Sequence, residues 1–395
     1  MRTTALIDLG AAEMWAGRLE AADRHLEQGL EEARRIGRPM LELQALANWA
    51  VASSFRSMAT ADQRAVQAIE LARQHGWDET ASAAATAYVA LGGVTLWRGR
   101  LREVEPWLDR AERVLGHVSQ PTAALMLYAT RALLESARGR HEEAAAAYRD
   151  AEQIERLLVM PHMFATRTQA LKLETLVCAG ETERVEQAIA EMDEEVRETS
   201  QMRVVLAASR LAHDDPEAAV DVLAPILDDS APAAASVWEI EALLLEAIAR
   251  DALGDAGAAS RALERALDLA EPDGLLLPFL LHPAPDLLER HARLRTNHAS
   301  LIAEILNLLS GRTPAGRPDD GASLQDPLTD SELRVLRYLP TNLPAPEIAG
   351  ELFVSLNTIR THMRNVYAKL GVHSRADAVK RARALGLLSP SSLKR

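Results

Sequence analysis

Cysteine is nearly absent. Cys178 is the single one in 395 residues, which excludes an internal disulfide framework and suits a reducing compartment. Aromatic residues make up only 4%, so the core cannot rest on large rings. The abundance of Ala and Leu favours helices packed at close range instead. No apolar run approaches the roughly 20 residues of a membrane-spanning helix. The strongest, LLLPFLLH at 275–282, is short and broken by Pro278. The beginning of the chain meets Asp8 and Glu13 too early for a secretory leader. These absences predict a soluble, cytoplasmic protein. Catalytic signatures are missing as well: there is no nucleophile elbow, no paired metal-ligand spacing and no GxxxxGK[ST] phosphate loop. The expectation is a protein that is not an enzyme and carries no cofactor and no metal. His282, His291 and His298 stand at spacings that match no metal signature and read as ordinary core or surface residues. Cys178, in an apolar stretch, reads as a small core residue.

What is present is unevenly distributed. Hydrophobic residues reach 48%, enough for real cores, and the length suggests more than one domain. The formal charge is −13, yet residues 328–395 hold 11 Lys+Arg against 5 Asp+Glu, a net of +6. The rest holds 33 against 52 and is strongly acidic. A small basic end on a large acidic body points to a polyanionic partner for the end alone.

The body repeats itself. A small residue is followed seven positions later by a Gly, then by small or apolar residues 5, 9 and 12 beyond it. Gly10–Gly17–Ala22–Leu26–Gly29 starts the series, and Gly92–Gly99–Val104–Leu108–Ala111 repeats it. Ala132–Gly139–Ala144–Tyr148–Ala151 and Ala247–Gly254–Ala259–Leu263–Ala266 follow, with weaker copies centred on Thr60, Gly180 and Asp214. Each copy reads as two helices joined where Gly supplies a positive φ, with the later positions on one face of the second helix. Such a hairpin cannot bury its own faces, so neighbours stack into a solenoid. Trp15 and Trp97, each two residues before its Gly, read as core packing rather than ligand stacking. The first copy begins almost at Met1 without a polar cap. The expectation is a chain that is the C-terminal part of something longer, or an end that a partner covers.

Residues 311–327, GRTPAGRPDDGASLQDP, read as a flexible linker. Four short helices follow. Thr329 and Glu332 form a capping box for the first, which turns Leu333, Leu336 and Leu339 inward and ends at Pro340. The second starts at Pro346 and buries Ile348, Ala349 and Leu352. Ser355 caps the third, which Gly371 stops, and Ser374 with Asp377 caps a fourth that runs to about Leu385. On the third helix Ile359, Met363, Val366 and Leu370 share an apolar stripe. Asn357, Arg360, Thr361 and Arg364 share another face. Folding does not require two Arg and two hydrogen-bonding side chains gathered there, whereas a helix in the DNA major groove uses such groups on base edges and phosphates.

The anchors of the body resemble the tetratricopeptide repeat over about residues 5–270. Residues 328–385 resemble the helix-turn-helix domain of LuxR-type transcription regulators. The resemblance rests on Leu328-Thr329, Glu332, Val335-Leu336, Glu347-Ile348-Ala349, Leu352, Ser355, Thr358-Ile359, His362, Lys369-Leu370-Gly371 and Ser374-Arg375. A solenoid ahead of such a domain is similar to the MalT-like regulators of that group, although their nucleotide-binding domain is absent here. Asn342 stands where the family has Gly between its first two helices, and Pro344-Ala345-Pro346 replaces a more polar entry. The resemblance implies that Arg360, Thr361 and Arg364 face bases. Ser355, Asn357, Thr358, His362, Lys369 and Arg375 would then lie toward the DNA backbone. It also implies that the fourth helix pairs two protomers through Ala378, Val379 and Ala382.

The sequence thus predicts an all-α chain: a tetratricopeptide-like helical solenoid at 1–310, a linker at 311–327 and a four-helix LuxR-type helix-turn-helix domain at 328–395. The function it predicts is sequence-specific binding of double-stranded DNA as a homodimer, in a transcription regulator whose solenoid receives a small-molecule or protein effector. The competing reading is a scaffold whose basic domain docks on RNA polymerase or another protein.

Overall fold

A computed structural model describes residues 1–310 apart from 117–119, 159–162, 229–235 and 295. Beyond 310 it describes sixteen positions between Glu332 and Arg381. The predicted linker at 311–327 lies outside the described residues. The chain divides into two compact units, Met1–Leu309 and Ser310–Arg395. All regular structure among the described residues is helical. No described helix is long and apolar enough to cross a membrane.

The first unit is a row of helical hairpins. They are α1 (Arg2–Trp15) with α2 (Leu19–Arg35), α3 (Pro39–Ser53) with α4 (Met58–Gln74), and α5 (Ser82–Trp97) with α6 (Leu101–Leu115). Next come α7 (Pro121–Ala137) with α8 (His141–Glu155) and α9 (Met163–Cys178) with α10 (Thr182–Ala190). After the single turn of α11 (Glu194–Arg197), α12 (Ser200–Ala212) pairs with α13 (Pro216–Leu227) and α14 (Ser236–Ala252) with α15 (Ala256–Ala270). Three closing helices follow: α16 (Leu277–Leu281), α17 (Pro285–Ala292) and α18 (Ala299–Leu309).

The turns form where the repeat places its Gly. Gly17, Gly99, Gly139, Gly180 and Gly254 have φ between 69° and 79°, the left-handed state that ends a helix without a Cβ clash. At the first of them the N–H of Arg18 donates to the Glu13 carbonyl at 2.8 Å. Asp214 takes the same conformation, with φ 60°, a state that Asp tolerates better than most residues. The copy centred on Thr60 needs correction. Thr60 lies inside α4, and the turn falls earlier, at 54–57. Ser57 is the cap there, its hydroxyl accepting from the Thr60 N–H at 3.3 Å.

Small residues set the distance between paired helices. A Cβ built on Gly10 would fall 2.7 Å from Cγ of Leu26 and 3.1 Å from its backbone nitrogen. One on Gly92 would fall 2.8 Å from Cδ2 of Leu108. Ala132 and Ala247 stand in the same position against Tyr148 and Leu263, and all four are buried. The first helices of successive hairpins also pack on one another, α1 on α3, α3 on α5, α5 on α7, α7 on α9, α9 on α12 and α12 on α14. This row curls tightly. Trp15 at the end of α1 and Phe55 after α3 both meet Phe164 in α9, with ring centroids 4.5 and 5.5 Å apart.

The closing segment fills the inside of the curl. Helix α16 touches α5, α7 and α14. Five residues of helix are only about 7.5 Å long, so one such helix reaches both ends of that span because the row bends around it. Its Leu277, Phe279 and Leu281 are buried. The segment is pinned by Asp273, whose carboxylate accepts from the Met58 and Ala59 N–H groups at 3.0 and 3.1 Å and caps α4 from 214 residues away. The Leu276 N–H donates to the Trp97 carbonyl at 2.8 Å. Helices α17 and α18 dock on α15 through a stripe of Ser260, Glu264 and Asp268. Both His291 and His298 are buried there, beside Glu264 at 2.5 Å and Asp268 at 2.8 Å respectively. Burial works to lower the His298 pKa, but the bond to Asp268 and the charges of Glu271 and Glu264 outweigh it and raise it.

The close approach at Gly10 yields a paired expectation. Gly10→Ala should lower the unfolding free energy by about 1–3 kcal/mol, the usual effect of overpacking a filled contact. Gly93→Ala, at a helical position where a Cβ meets nothing within 4 Å, should raise it by about 0.5–1 kcal/mol through helix propensity. Urea unfolding of the two variants beside the parent protein measures both.

Candidate functional site

In the second unit the described residues outline the expected helices. Glu332, Val335, Leu336 and Tyr338 are helical and Leu339 lies in the turn that follows, ahead of Pro340. Ile348 and Ala349 are helical, as are Ile359, Met363, Val366, Tyr367 and Lys369, and then Arg375, Ala378, Val379 and Arg381. Val335, Ile348, Ala349 and Ile359 form one apolar cluster, with Tyr338 and Met363 packed against it. Leu336, Leu339, Val366 and Ala378 are buried too. Ile359, Met363 and Val366 recur at i, i+4 and i+7, so the third helix presents the inner stripe its sequence encodes. Leu333, Leu352 and Leu370, expected to be inward, lie outside the described residues.

Of the residues expected at DNA, Ser355, Asn357, Thr358, Arg360, Thr361, His362 and Arg364 lie outside the described residues, and so does Ala382. Lys369 and Arg375 are described, and both are engaged within their own domain. The Lys369 ammonium donates to Oε2 of Glu332 at 2.8 Å. That carboxylate is almost fully buried, and the pair ties the third helix to the first. The Arg375 guanidinium donates from Nε to the Leu339 carbonyl and from a terminal nitrogen to the Tyr338 carbonyl, each at 3.0 Å. It covers carbonyls at the end of the first helix, groups that an α-helix cannot satisfy from within. Sequence reading assigned Glu332 to a capping box; the structure shows the partner it missed, 37 residues away. Ala378 has no exposed surface, whereas Val379 is half-buried.

In the first unit a largely apolar cleft opens between α3, α5, α7 and α9. Phe55, Trp97, Met126, Leu133 and Phe164 line it together with Arg167. The Arg167 guanidinium carbon stands 5.2 Å from the Phe55 ring centre and 5.5 Å from that of Trp97. Burial pushes the Arg167 pKa down to about 10, with the Glu241 carboxylate acting the other way. Trp97 is thus both core and cleft wall, and Trp15 is half-buried against Phe164. Cys178 is half-buried, and burial with the nearby Glu174 raises its thiol pKa to about 12, far from a reactive thiolate.

Residues 1–292 match the family model of the MalT-like TPR region. Residues 326–382 match that of bacterial regulatory proteins, luxR family. The nitrate/nitrite response regulator protein homolog of Haemophilus influenzae is 41% identical over 110 residues, which span 28% of this chain and 49% of that protein. The fimbriae Z protein of Salmonella typhimurium is 39% identical over 87 residues, 22% of this chain and 39% of that protein. The chain therefore spans half or less of the length of these curated relatives. A tetratricopeptide repeat protein from Parabacteroides merdae superposes over 71% of this chain and 99% of its own, with a TM-score of 0.41 and 14% identity.

The internal partners of Lys369 and Arg375 give a measurable consequence without any nucleic acid. Lys369→Met, which leaves Glu332 without its ammonium, and Arg375→Ala should each cost about 1–3 kcal/mol of stability in the free protein. Differential scanning calorimetry of each variant beside the parent protein reads this. Unchanged midpoints in both variants would rule the structural role out.

Proposed function

The chain belongs to the family of the MalT-like TPR region, and on that premise we propose that it is a transcription regulator that binds specific double-stranded DNA through its C-terminal unit. The observation that carries this is the match of residues 326–382 to the luxR-family regulatory domain, joined to a third helix whose inner stripe is Ile359, Met363 and Val366. At 3.6 residues per turn, the sequence puts Thr361 and Arg364 toward the side away from that stripe and Arg360 about 90° round from it. Their side chains suit the major groove, where Arg reads guanine. Ser355, Asn357, Thr358, His362, Lys369 and Arg375 are assigned to the DNA backbone, the last two from positions held by Glu332 and by the Leu339 and Tyr338 carbonyls. Two protomers meet through Val379 and Ala382, with the buried Ala378 behind them.

The helical repeats receive the signal. The cleft over α3, α5, α7 and α9 supports a small, largely apolar effector with an anionic group, because its walls are mostly apolar and aromatic and its charged lining residue is Arg167, beside the hydroxyls of Ser54, Thr130 and Thr168. The acidic body repels the DNA backbone and restricts contact to the basic end.

Binding of the full chain to labelled duplex across a salt series tests the reading. A direct binder shows log K falling steeply and linearly with log salt. Arg360→Ala should cost about 1–3 kcal/mol on the preferred site and relax base preference there. Equal loss on specific and random duplex would contradict base reading. Salt-independent binding together with capture of RNA polymerase would favour the docking alternative.

A further inference from the structure

Three side chains from distant parts of the chain meet inside the curl. Glu174 comes from α9, Glu241 from α14 and His282 from the residue that ends α16. One ligand atom from each lies within 4.8 Å of the others. Glu241 has no exposed surface, Glu174 2% and His282 9%. Among the described residues neither carboxylate has a hydrogen-bond partner, and neither has Nε2 of His282.

Two buried carboxylates side by side demand compensation. Arg167 contributes charge to Glu241, but it makes no ion pair with either carboxylate among the described residues. The His282 geometry is informative. Its Nε2 lies 2.9 Å from Oε1 of Glu174, yet the two atoms are not aligned for a hydrogen bond. Ligands of a tetrahedral zinc, each about 2.1 Å from it, stand about 3.4 Å apart, so a bound cation widens this pair by about half an ångström. Their lone pairs then point at a shared centre and not at each other.

We propose that Glu174, Glu241 and His282 form a binding site for one divalent transition-metal cation, zinc fitting the donor set best. The two carboxylate oxygens are hard donors that calcium and magnesium also accept, and the imidazole nitrogen of His282 is the borderline ligand that favours zinc over those ions. The bound cation neutralises the carboxylates and fastens the end of α16 to α9 and α14, so that metal binding and docking of the closing segment are one event. The site is independent of DNA recognition.

The full chain, stripped with EDTA and exchanged into metal-free buffer, is titrated calorimetrically with zinc chloride, and separately with cobalt chloride to read the visible ligand-field bands. The expected result is one cation per chain and a higher unfolding temperature with zinc. Glu241→Gln and His282→Ala should each weaken binding at least ~100-fold, beyond what loss of even an outer partner does. Glu264→Gln, which alters the other histidine–carboxylate group on α15, should leave it unchanged. Glu241→Gln is nearly isosteric, so it stays informative should His282→Ala fail to fold. No uptake by the parent protein, equal uptake by the Glu241→Gln variant, or loss only in Glu264→Gln would overturn the proposal. In the first two cases the cluster is balanced by protons, and in the third the cation sits on α15.

Discussion

The close approach of Gly10 to Leu26, repeated as Gly92 to Leu108 and Ala132 to Tyr148, sets the geometry on which the first unit depends. A helix pair brought this near leaves no room for a Cβ at Gly10 or Gly92 without displacing the facing Leu, and the matching positions of other hairpins carry only the methyl of Ala132 or Ala247. It lets a single Leu or Tyr fill the gap from the facing helix. With aromatics so few, the chain gains its buried area from many short contacts between small and medium residues. Each hairpin is marginal alone, and stacking its neighbours supplies the remaining burial. The same short distances let the row of first helices bend until Trp15 and Phe55 reach Phe164.

That bend gives the closing segment its place. Asp273 caps α4, Leu276 bonds to Trp97, and α16 lies against α5, α7 and α14. The inside of the curl is therefore partly covered by the chain itself. What remains open is the cleft beside Arg167, next to the buried Glu174, Glu241 and His282. Any molecule entering the cleft meets side chains from α3, α5, α7 and α9 together.

Much of the repeat could be read from the sequence, because its signals are local. Gly turns and anchors sixteen residues apart recur within one hairpin, and even the Asp214 turn showed through its neighbours. The Thr60 copy was misplaced because its turn has no Gly and its cap is a Ser three residues earlier. Contacts across the curl could not be read at all. Nothing in the spacing of Asp273 and Met58, or of Glu174, Glu241 and His282, links them in a one-dimensional pattern. His282 therefore read as ordinary. In the terminal unit the inner stripes followed from periodicity. The Lys369–Glu332 pair and the Arg375 cap did not, since a basic side chain on a basic helix reads equally well as a phosphate contact.

The two units differ in charge: an acidic, curled body carries the cleft, and the basic end carries a helix with an inner apolar stripe. The central claim is that the basic end discriminates between base sequences. Selection of bound fragments by the full chain from a random pool of duplex DNA tests it most directly. The account predicts enrichment of a two-part site with related halves. Recovery of a pool as random as the starting one, from a protein that still holds DNA, would contradict it.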